Sequence, residues 1–375
     1  MNLQAYSRSA LSPDSPAWSD WKWQYANRIT EAERLAQIIP LGEREKREIS
    51  ACLSGFPMAI TPYYASLMEE GDASCPIRMQ AVPTIRETRV FQWEKKDPLD
   101  EESGSPVEHI VHKYPDRVLF LLTRCCAVYC RHCVRKRHVG EEDFVISEEE
   151  TVKAVDYVAN TPRIRDVLLS GGDPLVLDDG RLEDVVARLR AIPHVEIIRI
   201  GTRAPVTLPM RVTPVLLAML KKYQPIWINT QFNHPRELTG DSLRACGDIV
   251  DAGIPLGNQS VLLRGVNDNV DTMKELLLKL VQARVRPYYL YQCDLSEGTE
   301  HFRTRVETGV EIIKELTGNI SGFAIPQFVI DAPNNGGKIP VNPDYVLSVD
   351  DEKIVMKNYK GGVSTCPQPK ENEAL

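Results

Sequence analysis

No stretch of this 375-residue sequence holds the roughly 20 apolar residues that a membrane-spanning helix needs; runs such as Val118–Leu122 are far shorter. An excess of positive charge is missing as well. The 45 Lys+Arg stand against 52 Asp+Glu, a formal net charge of −7, which makes non-specific nucleic-acid binding a poor default. The opening residues, MNLQAYSRSALSPDSPAW, lack the basic and apolar regions of a secretory leader, so a cytoplasmic protein is expected. Internal repeats and low-complexity tracts are absent. What is present, 43% hydrophobic and 26% charged residues, is the composition of a globular protein with a sizeable core.

Evenly spaced cysteines are missing too. Of the nine, Cys125, Cys126, Cys130 and Cys133 crowd together while the rest are scattered, which excludes a disulfide framework and points to a metal centre. Cys126-Ala-Val-Tyr-Cys130-Arg-His-Cys133 is a CxxxCxxC loop. Three thiolates at that spacing can wrap a compact iron–sulfur centre and leave one iron open to another ligand. Structural zinc, with His132 or Cys125 as fourth ligand, is the alternative, but zinc ligands usually come as two spaced pairs and no second pair exists. Cys125 itself reads as a small buried apolar residue.

From about residue 117, short apolar runs alternate with amphipathic segments. The runs are 117–123, 166–170, 195–202, 225–231, 255–263, 286–293 and 322–331; the segments are 148–159, 179–191, 213–223, 236–252, 270–284 and 304–316. That alternation predicts parallel strands with right-handed helical crossovers, in an open sheet or a full or partial (β/α) barrel. In either layout the reactive residues belong at the carboxyl ends of strands. The cysteine loop follows the first run and Ser170-Gly171-Gly172-Asp173 the second. Asp294 follows the sixth, and Asp331 and Lys338 the last. We divide the chain into a helical lead-in (1–105), a core (106–340) and a C-terminal extension (341–375). Helices are expected at roughly 18–38 and 41–54, the latter's REKRE run as a solvated face, and a connecting loop at 94–108.

CAVYCRHCVRKR after a first strand resembles the radical S-adenosylmethionine (SAM) enzymes, and within them the lysine 2,3-aminomutase family. The resemblance runs from Trp21-Lys22-Trp23-Gln24 to about Tyr359. It includes DPLDE (97–101), KYPDRV (113–118), SGGDPL (170–175), NTQFNHP (229–235), PLGNQSVLLRGVND (255–268), YQCDLS (291–296), EHFRT (300–304) and DAPNNGGKIP (331–340).

The resemblance implies a partial (β/α) barrel holding a [4Fe–4S] cluster, SAM and pyridoxal 5′-phosphate (PLP). It assigns the cluster to Cys126, Cys130 and Cys133. SAM falls to Ser170, Gly171, Gly172, Asp173 and Gln259. Lys338 becomes the PLP lysine, with Lys113, Tyr114 and Arg117 toward its phosphate; Lys113 stands where the family has arginine, so bidentate geometry is lost there. Arg135 would grip the substrate carboxylate. Asp294 and Asp331 would bind the lysine ε-ammonium, where glutamate 2,3-aminomutases carry lysine and asparagine. The implied reaction moves the α-amino group of L-lysine to C3, giving β-lysine, with an electron donor such as flavodoxin or ferredoxin and a homo-oligomeric assembly.

Several positions depart from the family. Gln231 replaces a histidine expected near SAM, and Asn334-Asn335 replace glycine-like residues. Only Cys366, with Asn269 at the remote position, stands where the family has zinc ligands, so no zinc is expected there. Other substrates remain open: arginine, glutamate, or a lysine carried by tRNA or protein. A different class, an iron–sulfur or zinc nucleic-acid module using Arg131, Arg135, Lys136, Arg137 and His138, is the remaining alternative.

Overall fold

A computed structural model describes residues 16–140 and 144–369. A hairpin of β1 (Ile110–Tyr114) and β2 (Arg117–Thr123) opens the sheet. It continues with β3 (Asp166–Gly171), β4 (Ile197–Gly201), β5 (Ile226–Thr230), β6 (Leu256–Leu262) and β7 (Arg286–Gln292), and ends with β8 (Gln327–Ala332) and β9 (Gly337–Pro340). Spatial order repeats chain order from β1 to β9. Strands β2 to β8 are parallel. The edge strands β1 and β9 run antiparallel to their neighbours, so the sheet curls into a partial barrel as expected.

The crossover helices are Glu148–Ala159, Asp179–Arg190, Pro214–Lys221, Gly240–Asp251, Val270–Gln282 and Val306–Leu316. Side chains of Ser147, Thr213, Thr239 and Asn269 accept backbone N–H groups at four of their starts. The role found for Asn269 is therefore a helix cap. Residue parity explains the layering. Val118, Phe120 and Leu122, Val167 and Leu169, Ile198 and Ile200, Leu290 and Phe328 are buried in the core shared with the helices. The opposite parity (Leu119, Leu121, Leu168, Ser170, Gln259, Tyr289, Tyr291, Asp331) is only partly buried and belongs to the sheet's other face. No helix among the described residues is long and apolar enough to cross a membrane.

Three sequence expectations are corrected. The helix expected at 18–38 breaks into short pieces, including Trp21–Ala26 and Ala32–Leu35. Between them the wholly buried Ile29 exchanges both backbone hydrogen bonds with Ile60, a pairing that outweighs helical propensity. Lys338, expected simply to follow the last run, lies on a further strand, β9, directly opposite Asp331. The hairpin between them turns through Asn334 (φ 56°), Asn335 (φ 61°) and Gly337 (φ 81°). Asn is the residue that best tolerates this left-handed region besides glycine, which explains Asn334-Asn335 at glycine-like positions. In the REKRE run, Glu45 is not merely solvated: it pairs with the buried Arg78. The described part of the C-terminal extension, 341–369, contributes a small antiparallel sheet of β10 (Val346–Val349), β11 (Lys353–Lys357) and β12 (Val363–Pro367), which carries the exposed Cys366.

The helix Val306–Leu316 reaches the barrel through a bare glycine. A Cβ at Gly309 would lie 2.3 Å from the Phe328 ring, which is wholly buried. Alanine would ordinarily favour a helix by up to about 1 kcal/mol. Gly309→Ala should nonetheless lower the apparent melting temperature, because overpacking costs about 1–3 kcal/mol. An unchanged or higher value in a thermal scan would refute this packing.

Candidate active site

The cysteine loop leaves β2 and is clamped by the turn that leaves β3. Thr123 O accepts the Gly172 N–H (2.5 Å) and Cys125 O accepts the Asp173 N–H (2.8 Å). A Cβ at Gly171, where φ is 116°, would lie 2.3 Å from Thr123 O; one at Gly172 would lie 2.1 Å from Cys125 O. The two glycines are therefore required by the cysteine loop itself, beyond any ligand. Asp173 turns inward: Oδ1 accepts from Thr202 Oγ1 (2.6 Å) and Leu175 N (3.0 Å), and Oδ2 from Arg203 N (2.8 Å). The Asp173 carboxylate is thus a brace of the turn. Ser170 and Gly171 sit within β3 rather than after it.

Burial and the neighbouring charges, Asp173 first, push the Cys126 thiol well up. Burial and the Cys130 charge push Cys133 up to about 11. Three thiolates so close demand a compensating cation, and bound iron supplies one. A single zinc would hold its sulfurs roughly 3.8 Å apart, given Zn–S bonds of about 2.3 Å. Among the described residues these cysteines do not form a group with all ligand atoms within 4.8 Å; the one such group is Glu108, His109 and Glu150. His132, between two of the cysteines, is held through Nε2 by the amides of Gln231 (3.0 Å) and Asn233 (3.3 Å), so Gln231 contacts the cysteine loop. Cys125 is buried, its Sγ turned to Phe144 O (3.6 Å).

A second group gathers around β8 and β9. Lys338 Nζ lies 3.1 Å from Asp331 Oδ1 and 5.3 Å from the Tyr291 ring centroid. The Lys338 backbone N–H donates to Tyr114 Oη (2.9 Å), and Arg117 stacks on the Tyr114 ring at 3.9 Å. The end of the β1–β2 hairpin is thereby brought across the seam to β9. Burial first, then Asp331 and Glu101, push the Asp294 carboxyl up to about 7, against the opposing pull of Lys338 and Arg135. The structure thus brings Arg135, Asp294, Asp331 and Lys338 into one electrostatic neighbourhood. Lys113 and Gln259 lie on β1 and β6, half-buried.

Sequence reasoning missed Glu101, Glu87, Arg203 and Glu237. Glu101 takes both ends of the Arg135 fork, at 3.0 and 2.7 Å, from within the segment read as a connecting loop. Its burial alone would raise its pKa, but Arg135 holds it below the ordinary range. Arg131 and Lys136 converge on the wholly buried Glu87, and Arg137 on Asp97 and Glu101. The basic run after the cysteines therefore turns inward. Only the acidic DPLDE hinted at this, since charge partners between distant segments leave no periodic mark.

A curled parallel sheet with a CxxxCxxC loop clamped to a glycine turn defines a radical SAM enzyme. The family profile described as "Radical SAM superfamily" matches residues 120–277, and that described as "Lysine-2,3-aminomutase" matches residues 313–374. The L-lysine 2,3-aminomutase of Clostridium subterminale is 54% identical over 352 residues, 94% of this chain and 85% of that protein. That of Bacillus subtilis is 48% identical over 94% of this chain and 75% of its own length. A glutamate 2,3-aminomutase of Clostridioides difficile is 42% identical over 95% of this chain and 84% of that protein. The chain belongs to the lysine 2,3-aminomutase family, and a [4Fe–4S] cluster and SAM are the cofactors of its superfamily.

The raised Asp294 pKa has a direct consequence for stability. A carboxyl that binds its proton more tightly folded than unfolded makes stability fall as pH rises from 3.8 to about 7, and leaves it level above. Asp294→Asn should therefore raise the melting temperature at pH 8 and give no gain at pH 4. Equal effects at both pH values in calorimetry would contradict the assigned environment.

Proposed function

We propose that this enzyme converts L-lysine to β-lysine by moving the α-amino group to C3, with PLP carried by Lys338. The carrying observation is the pair of carboxylates, Asp294 and Asp331, at the Lys338 end of the site. Two acids there favour a terminal ammonium and oppose a terminal carboxylate. Burial and then the Asp331 charge raise Asp294, and an ammonium held between the two acids would offset both, so lysine binding near neutral pH would release a proton. Arginine also ends in a cation, and the greater identity to L-lysine 2,3-aminomutases than to the glutamate enzyme supports lysine.

The chain's groups suit PLP. Lys338 offers an amine on the exposed side of the hairpin, and Tyr114 with Arg117 lies beside it, placed to meet a phosphate together with Lys113. The cluster and SAM supply one-electron chemistry able to take hydrogen from an unactivated C–H bond, and PLP supplies a π system for the migrating nitrogen. Arg135 would bind the substrate carboxylate by exchanging one carboxylate, Glu101, for another, so its fork is pre-oriented before substrate arrives. Asp294 and Asp331 fix the far end of the chain and so present C2 and C3 to the cluster side. A flavodoxin or ferredoxin would deliver the electron.

The test is an anaerobic assay with rebuilt cluster, PLP, SAM and dithionite, offering L-lysine, L-arginine and L-glutamate in parallel. β-Lysine should predominate. Asp331→Asn should raise the KM for lysine tenfold or more, since a charged hydrogen bond is worth about 1.5–3 kcal/mol. Turnover of glutamate in preference to lysine would refute the pocket, and turnover by Cys130→Ser would refute the chemistry.

A further inference from the structure

Arg203 follows the end of β4 and is buried, 8% exposed. All three guanidinium nitrogens are engaged. Nε donates to Gln231 O (3.1 Å), and Nη2 to Gln80 Oε1 (2.6 Å), Glu237 Oε1 (2.6 Å) and Tyr64 Oη (3.3 Å). The remaining nitrogen, Nη1, donates to Cys130 Sγ at 2.9 Å. Glu237 is wholly buried and is itself held by Tyr64 Oη (2.7 Å) and the backbone N–H groups of Asn233 (2.6 Å) and His234 (2.9 Å). The Arg203 backbone N–H is fixed by Asp173 Oδ2. The guanidinium therefore has one orientation available, and it aims a charged N–H at one cysteine sulfur.

We propose that Arg203 is a positioning residue that raises the reduction potential of the iron–sulfur cluster through its hydrogen bond to Cys130, with Glu237 holding it in place. The inference rests on Cys126, Cys130 and Cys133 as the cluster ligands. A donor and a fixed positive charge at a ligand sulfur draw electron density from the cluster and favour its reduced, more negative state. Because Nη1 is nearer the sulfur than the compensating Glu237 carboxylate, the pair does not cancel at the cluster. The same residue is tied through Asp173 to the glycine turn, so the donor stays aligned with the cysteine loop.

The test compares midpoint potentials of rebuilt wild type, Glu237→Gln and Arg203→Gln/Glu237→Gln, by redox titration followed by electron paramagnetic resonance, without substrate. The double variant removes both charges together and so avoids stranding a buried carboxylate. With full iron content it should titrate at a more negative potential than wild type, and Glu237→Gln, which keeps Arg203, at or above it. An unchanged or higher potential in the double variant overturns the proposal. Should the double variant fail to fold, Arg203→Met/Glu237→Leu takes its place, filling the site with apolar side chains: its potential should fall, and no fall overturns the proposal. A wild-type chain that gains no cluster would refute the ligand assignment instead.

Discussion

The backbone clamp between the β3 turn and the cysteine loop is the constraint on which the site depends. Two hydrogen bonds from Gly172 and Asp173 fix the loop, and neither glycine has room for a side chain. The clamp fixes where the loop starts, and side chains such as Arg203 hold it further along. The segment assigned to SAM and the segment assigned to iron are then neighbours by construction. The two segments are far apart in the chain and are joined directly by two backbone hydrogen bonds.

Buried charge is handled in two ways. Glu87, Glu101 and Glu237 each face at least one arginine, and such pairs cost desolvation but fix geometry. Asp294 is different. Burial first, and then the charges of Asp331 and Glu101, raise its carboxyl, with Lys338 and Arg135 as partial offset. On the proposed reading, this under-compensated acid would receive a cation that arrives from outside.

The seven parallel strands and six crossover helices were legible because their residues repeat with periods of 2 and 3.6, and the caps at Ser147, Thr213 and Thr239 punctuate them. The CxxxCxxC loop was legible because its spacing is local. The hairpin arms were not. β1 holds only five residues and β9 four, and each exists because the neighbouring long strand offers a free edge. Glu101, Arg203 and Glu237 were invisible for a different reason. Their roles arise from contacts between segments far apart in the chain: 34 residues separate Arg135 from Glu101, and 73 separate Arg203 from Cys130. The division at residue 105 was likewise a matter of composition, whereas Trp18, Ile29 and Tyr64 pack in the same apolar cluster as Phe120 and Phe328.

A sheet that curls without zipping shut keeps two raw margins, β1 and β9. Margins of this kind invite strand addition from a second molecule and are a common start of aggregation. Here β1 carries His112 and Lys113, and β9 carries Lys338 and ends in Pro340, while Tyr114 spans the gap between them. Lysines and a proline on a margin are what discourages a foreign strand from docking. The residues proposed for the chemistry at this seam therefore also guard it, and replacing them by apolar residues would expose the protein to self-association.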